Sequence, residues 1–535
     1  MCTQWYTKEY SEDIRCALFF SYKNITKYLE RMIKMTGYII MAVFAVICLS
    51  VSTLVARKYS GGGVDEFVAA GRKVPFGLVT ASVMVSWVWT ITIIGSAEAG
   101  FNYGISGGIN YAWGAAIPFF VFIPLVMTLR KKMPKCTTFV EFIKARYGSG
   151  VSQMFIVFAL ALTFYILLSQ GVGMGVVFST LFGMPYKFAA AIPLLIIALY
   201  TAKAGLRGSI VNDVIMFFVI AAIFLITVPI VLKTLGMDAI YNGLKDVASN
   251  VANPNHNKDA LNLFSTTGFR YGIVSMVVCM GQVLLDQGYY SKAVATVSTK
   301  SLLFSYIVGT VVAWLPIPII SGVVYGGSAL GMGASVIGGQ LATTSDAAPY
   351  IMQLVFGGGI GAVMFALMIF MTGLTTGGDI LAGAQAICTV DIYKKYINKN
   401  ATEKQQTNFG RRMTIVIGLI MAIVVMFLEG KSILSLDIFS GIIFAAPCAA
   451  FVSGLIWDKV SSKIAAASIF IGMAAGMIAY FMIPDDNINY FIGNVCSLGI
   501  PVLVIMIGSF FTKEHFDFEK LKQYEPDHLV NVAED

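Results

Sequence analysis

The chain has 535 residues, 57% of them hydrophobic and only 12% charged, where soluble domains carry about 25% charged residues. That much apolar surface excludes a water-soluble fold and makes lipid the solvent. The formal net charge of +8 is carried between the apolar runs, so it does not describe a nucleic-acid surface. A helix needs roughly 20 apolar residues to cross the hydrocarbon core, and about thirteen such runs occur here. The runs are continuous rather than alternating, which selects helices over a β-barrel. The expected fold class is an all-α polytopic membrane protein. One transmembrane domain, 36–511, lies between a polar N-terminal extension, 1–35, and a tail, 512–535.

Residues 1–35 are polar, mixed in charge and rich in Tyr. They lack the small-residue cleavage site of a secretory signal. They read either as an overlong start ahead of Met32 and Met35 or as a genuine extension. The first span, about 36–56, ends at Arg57-Lys58. The second, about 74–97, follows Gly71-Arg72-Lys73. The third, about 106–129, ends in Arg130-Lys131-Lys132. Thr137 to Tyr147 is a short amphipathic piece with Phe139, Phe142 and Ile143 on one face, expected to lie on the membrane surface. Further spans fall near 151–181, 186–202, 208–232, 270–290, 301–325, 356–390, 412–428, 432–457, 462–483 and 489–511.

If the first span runs from outside to inside, roughly 25 of the 37 Lys and Arg fall on the cytoplasmic side. This expectation places the N-terminus outside and the C-terminus inside a cell membrane. Segments 233–269 and 326–350 become the longer external loops. Five spans (about 74–232) then start inside and the next five (about 270–457) start outside, which makes two inverted blocks. Both first members are interrupted: Ser86-Trp87-Val88-Trp89-Thr90 in one, Cys279-Met280-Gly281-Gln282 and Asp286-Gln287-Gly288 in the other. Interrupted spans at matching places in inverted halves point to a transporter site at the midplane.

The run Met371-Thr372-Gly373-Leu374-Thr375-Thr376-Gly377-Gly378-Asp379 breaks an otherwise apolar span with hydroxyls and a carboxylate. Polar groups at membrane depth are costly and face a cavity or a pathway, so this helix reads as half of a cation site. The eight Cys are scattered with no CxxC pair, so they read as small core residues. His256, His515 and His528 all fall outside the spans, which excludes a His relay through the membrane.

The same stretches carry a family likeness. Phe67-Val68-Ala69-Ala70-Gly71-Arg72 with Pro75, Gly205-Leu206-Arg207 with Asn212-Asp213, Asp286-Gln287 with Lys292-Ala293, and Thr375-Thr376 ahead of Asp391-Ile392-Tyr393-Lys394 resemble, in order, motifs of the sodium:solute symporter family. The likeness covers about 65–460. Within the family, Ser86-Trp87-Val88-Trp89, Tyr103-Gly104-Ile105-Ser106-Gly107, Thr138-Phe139-Val140-Glu141 and Val283-Leu284-Leu285-Asp286-Gln287-Gly288-Tyr289-Tyr290 are most similar to the urea/polyamine permease branch. The resemblance implies a LeuT-type 5+5 inverted repeat and sodium-driven uptake, with sodium as coupling ion and no other cofactor.

The resemblance also implies site residues. Sodium ligands would be the carbonyls of Val85, Val88 and Thr372 and the hydroxyls of Thr375 and Thr376, where the family usually has Ser-Ser. The other reading is Thr hydroxyls bonding back to their own helix. Asp213 matches an acid on a sodium exit route or in a second ion site; it also reads as an interfacial acid near Arg207. Asp379, one turn from Thr375-Thr376, reads as a second-site ligand or as half of an inner-gate salt bridge. Family members often have Ser there. For substrate, position matching gives Trp87, Trp89, Thr90, Cys279, Gln282 and Asp437. The Trp faces can hold a cation or simply pack. No deep Arg or Lys is read in the core spans, so carboxylate substrates are disfavoured. A small neutral or cationic polar solute, such as urea, an amide or an amine, fits better. Proton coupling through Asp213, Asp379 or Asp437 and a passive channel stand as alternatives. An enzyme or a sensor lacks any soluble domain or nucleophile–base pair to work with. The oligomeric state is not set by the sequence.

Overall fold

The structure is a computed structural model that describes residues 12–59, 61–486 and 488–527. Its named elements are all helices, as expected where lipid cannot satisfy an open sheet edge. Helix α1 is Glu12–Lys58. The polar stretch from residue 12 therefore continues into the first span; residues 1–11, and His528 in the tail, lie outside the described residues. Then follow α2 (Phe76–Ser86), α3 (Thr90–Tyr103), α4 (Ile105–Lys132), α5 (Phe139–Tyr147), α6 (Ser149–Phe182), α7 (Tyr186–Leu235) and α8 (Met237–Ser249). The second block has α9 (Thr266–Leu284), α10 (Gln287–Ala295), α11 (Thr299–Gly331), α12 (Ala347–Phe356), α13 (Ile360–Ile397), α14 (Glu403–Val425), α15 (Ile433–Phe444) and α16 (Cys448–Ile456). Two more, α17 (Ser462–Met482) and α18 (Asn489–Phe510), pair with each other at its flank.

Ten helices among the described residues are long and apolar enough to cross a membrane, or twelve when α2 with α3 and α15 with α16 each form one bent span. The sequence separates residues 186–202 from 208–232. The structure joins them in the 50-residue α7, with one non-helical residue inside, Gly205 (φ 58°, ψ −151°). A Cβ at that position would lie 2.3 Å from the Phe67 carbonyl oxygen. The short helix Gly63–Ala69 passes α7 there.

The two blocks meet through their broken members. Helix α2 ends at Ser86, and α3 starts at Thr90 after a 42° bend. Helix α9 ends at Leu284, and α10 restarts with Asp286 as its cap, the carboxylate accepting from the Gly288 N–H (2.6 Å). Helix α13 packs on α6, α7 and α10. It therefore lies against both blocks.

One end of the bundle carries the junctions 57–75, 132–149, 285–299 and 397–403 and the tail; we call it the basic end. There Val74 and Thr296 form an isolated parallel bridge, with the Val74 N–H donating to the Ala295 carbonyl (2.9 Å). The segment expected on the membrane surface, α5, is instead buried at this end. Phe139, Phe142 and Ile143 are fully covered, with Phe139 against Tyr290 and Phe142 against Phe451. Its polar side is covered as well: Arg146 donates to the carbonyls of Gly454 (3.1 Å) and Trp457 (3.0 Å). The amphipathic pattern is real, but protein carbonyls rather than water take up its polar face. The tail crosses the same end, where Tyr524 donates to Glu141 (2.9 Å).

Gly205 sits in a backbone region that only glycine occupies without strain of order 1–3 kcal/mol. Gly205→Ala is expected to lose about that much stability, plus the clash with Phe67. The readout is a lower Tm of the detergent-purified protein; an unchanged Tm would show that the break is not held by Gly205.

Candidate functional site

The break between α2 and α3 frees backbone groups inside the bundle, because Trp87 to Trp89 leave the helical ladder. The Ser86 carbonyl becomes the hub. It accepts from Trp89 Nε1 (2.7 Å), from Thr376 Oγ1 on α13 (3.3 Å) and from the Tyr289 hydroxyl on α10 (3.4 Å). The structure thus brings Thr376 to the unwound end of α2, at the residue between Val85 and Val88. The Val85 carbonyl accepts from the Val88 N–H (3.1 Å). The two Val side chains line an apolar cavity of about 280 Å³ shared with Phe217, Ile220, Val312 and Pro316. Thr375 bonds back to its own helix, to the carbonyls of Met371 (3.1 Å) and Thr372 (3.0 Å). The Thr372 hydroxyl does the same to Ile369 (2.8 Å).

Beside this hub lies a buried ion cluster whose two acids, Asp213 and Asp379, are sequence candidates and whose cation, Lys292, is not; the salt-bridge reading of Asp379 is the one the structure shows. Lys292 on α10 is fully buried. Its ammonium contacts Asp379 Oδ2 at 2.5 Å and Asp213 Oδ2 at 3.2 Å. It also donates to the Ser82 carbonyl (3.2 Å) and to the Ser86 hydroxyl. Asp213 further accepts from Ser82 Oγ (2.6 Å), and Asp379 from Ser209 Oγ (2.9 Å). The expectation of no deep Arg or Lys is therefore corrected. The apolar run was taken to end at 290, but α10 runs to Ala295 and is covered by protein. Its cation is engaged by two carboxylates, so it offers no free partner to an anionic solute. Asp213 is not a neighbour of Arg207, which pairs with Glu66 instead.

A second polar cluster contains two of the substrate candidates. Asp437 on α15 accepts through one oxygen from Gln282 Nε2 on α9 (2.6 Å) and from the Tyr165 hydroxyl on α6 (2.6 Å). Ser440 lies 3.5 Å from the same Gln282 nitrogen. Tyr165 and Ser440 were not foreseen, since a lone Tyr or Ser in an apolar run carries no signal of its own. Cys279 is buried one turn before Gln282 on α9. Thr90 is turned to α6, its N–H donating to Gln170 (2.9 Å) and its hydroxyl to the Ser169 carbonyl (3.3 Å).

Trp87 and Trp89 belong to an aromatic plate next to the broken helix. Trp87 lies edge-on to Phe119 (4.8 Å), Trp89 (5.1 Å) and Tyr289 (5.9 Å), and Trp314 Nε1 donates to its carbonyl (2.6 Å). The Trp87 Nε1 itself is buried without a partner among the described residues.

Both ends of the bundle are shut. At the basic end, Thr138 Oγ1 donates to Asp391 (2.6 Å), which also pairs with Lys395 (2.7 Å), and Gln287 bridges the backbone of Thr137 and Phe139. At the opposite end, Glu98 on α3 accepts from the hydroxyls of Thr344, Ser345 (2.7 Å) and Ser432 (2.6 Å) and from the Leu434 N–H (3.3 Å). Gln282 is 2% exposed and Asp437 3%, so neither end opens onto them.

Two polar clusters around broken helices, closed at both ends, are the layout of a gated carrier. The model of the sodium:solute symporter family matches residues 67–472. This chain belongs to the sodium:solute symporter family. The symporter is 26% identical over 492 residues to the urea-proton symporter DUR3 of Oryza sativa subsp. japonica, covering 85% of this chain and 67% of that protein. It is 23% identical over 481 residues to the sodium/glucose cotransporter of Vibrio parahaemolyticus, covering 85% and 87%. A solved Na+-coupled sialic acid symporter, in a substrate-bound outward-open state, superposes with a TM-score of 0.74 at 15% identity over 90% of this chain and 98% of that one. That likeness shows the fold, and it is the LeuT-type inverted repeat read from the sequence. The symporter is thus a solute carrier of the membrane and not an enzyme.

In the Asp437 cluster, Tyr165→Phe removes one of two donors to a buried carboxylate. Hydrogen bonds to charged groups contribute about 1.5–3 kcal/mol. The symporter variant is expected to lose stability of that order in detergent, read as Tm. Asp437→Asn in the Tyr165→Phe background should then cost less than in the wild type, because the two act on one oxygen.

Proposed function

We propose that this symporter takes up a small neutral or cationic polar solute (urea, an amide or an amine) coupled to sodium by alternating access. The observation that carries the reading is the contact of Thr376 on α13 with the Ser86 carbonyl at the break of α2. A sodium ion is held by several oxygens in a small cage, and unwound carbonyls with hydroxyls supply them without a full charge. The residues present fit such an ion: the Ser86 hub lies where the backbone leaves the helix, with Val85 and Val88 beside it, and Thr372, Thr375 and Thr376 stack along the facing helix. Sodium bound here would tie α2 to α13 and favour the state open to the outside. The solute would meet Gln282, Asp437, Tyr165 and Ser440, with Trp87, Trp89, Thr90 and Cys279 around them.

Support for a neutral or cationic solute is electrostatic. The cluster holds a carboxylate, an amide and hydroxyls, and the nearby ammonium of Lys292 is already engaged by two acids. Urea as the solute is supported by the rice relative, which is named for urea. The same relative is named for protons, and Asp213 Oδ1 is buried without a partner among the described residues. Those two facts support proton coupling as the second reading. The orientation with the N-terminus outside and the C-terminus cytoplasmic, in a cell membrane, belongs to the proposal too, since the basic end is then the inner one.

The test is uptake of labelled urea into proteoliposomes under a sodium gradient, under a pH gradient, and in choline buffer with neither. Accumulation is expected under the sodium gradient. Thr376→Ala is expected to raise the half-saturating sodium about tenfold, equivalent to ~1.4 kcal/mol. Full uptake in choline with the pH gradient alone selects protons, and uptake that never saturates selects a passive channel.

A further inference from the structure

Residues suited to a second ion already enclose a cation that belongs to the chain. Asp213 reads from the sequence as an acid of a second ion site or an exit route, and Asp379 as a second-site ligand or half of a salt bridge. In the structure the Lys292 ammonium stands between them, 3.2 Å from one carboxylate and 2.5 Å from the other. It takes up the surrounding dipoles as well, the Ser82 carbonyl and the Ser86 hydroxyl. A metal ion brought to the same oxygens would face a fixed positive charge within hydrogen-bond distance of every one of them. The residues do not fit a second sodium while Lys292 is there.

We propose that Lys292 is a tethered cation that fills the second ion position permanently, so that the symporter moves at most one sodium per cycle through the Ser86–Thr376 site. This inference rests on the reading of the chain as an ion-coupled symporter. The placement of the ammonium gives it a mechanical role as well. It sits on α10, the continuation of broken α9. Its contacts lie on α2, α7 and α13: Ser82 and Ser86 on the first, Asp213 on the second, Asp379 on the third. A diffusible ion joins such helices only while bound. A lysine joins them in every cycle, and its charge returns with the helix instead of being released. The three charges sum to −1 with both acids ionised, and Asp213 Oδ1 has no hydrogen-bond partner among the described residues. In that charge state the cluster attracts positive charge at Asp213 Oδ1, without offering a closed cage.

The test removes the tether and asks whether a free cation takes its place. Purified Lys292→Ala is compared with wild type by Tm in choline chloride, sodium chloride and methylammonium chloride at equal ionic strength. Wild type is expected to be indifferent to methylammonium. Lys292→Ala is expected to be less stable in choline and to regain most of the lost Tm with millimolar methylammonium or sodium, because two acids and a side-chain-sized space await a cation. Equal responses of variant and wild type to every cation would overturn the proposal. A second measurement holds if the variant does not fold: equilibrium binding of radioactive sodium to wild type should saturate at no more than one ion per chain, and two ions overturn it. Uptake by wild type that ignores sodium would end the sodium reading of function, yet leave the cation rescue of Lys292→Ala standing on its own result.

Discussion

Charge inside a membrane protein must be paired or solvated by fixed dipoles, and in this symporter that demand converges on the Lys292 ammonium. Four helices meet at one nitrogen. Replacing Lys292 would leave two buried acids facing each other without their cation, a kind of change that costs about 3–5 kcal/mol in buried pairs. The break at Leu285-Asp286 is part of the same constraint. It starts a new helix, capped by Asp286, whose second turn delivers Lys292 to α2. The break at Trp87–Trp89 does the complementary work, ending α2 where Ser82 and Ser86 can receive it. Helix breaks, which cost backbone hydrogen bonds in lipid, are stabilised here by the polar contacts they create.

The aromatic plate borders this cluster. Tyr289 touches the Ser86 carbonyl with its hydroxyl and packs its ring against Trp87 and Phe119. Trp314 holds the Trp87 carbonyl. A shift of the α2 end would therefore move rings as well as ligands. Packed interiors switch between discrete arrangements rather than deform smoothly.

Much of the fold could be read from the sequence, because the hydrocarbon thickness fixes the length of each run and because Ser86-Trp87-Val88-Trp89 and Asp286-Gln287-Gly288 interrupt theirs. Thr376, Gln282 and Asp437 were visible as polar residues at membrane depth. Lys292 was not. Hydropathy measures contact with lipid, and α10 is buried by protein, so a Lys two residues past an apolar run looked like a boundary. For the same reason α5 passed for a surface helix. One of the two sequence readings of Asp213 sets it near Arg207 by closeness in sequence, whereas six residues on α7 carry it onto another side of the helix. Which carbonyl of a broken turn becomes free depends on the dihedral angles of Trp87 to Trp89 (ψ −8° at the first, ψ 166° at the last), and residue types do not set these. Ser86 therefore emerges as the hub only in three dimensions.

The two ends of the bundle are closed by different chemistry. At the basic end a carboxylate faces a lysine. At the other, Glu98 is held among the described residues by three hydroxyls and one N–H. Separating an acid from hydroxyls exchanges neutral donors for water, which is a small step in free energy. It also uncovers a carboxyl group whose hydrogen-bond partners among the described residues are all neutral. In the proposed cycle, parting of that end would place an acid between low-dielectric walls, and such a mouth concentrates cations from solution. In the proposed cycle, the residue that seals the mouth would be the one that meets the incoming ion.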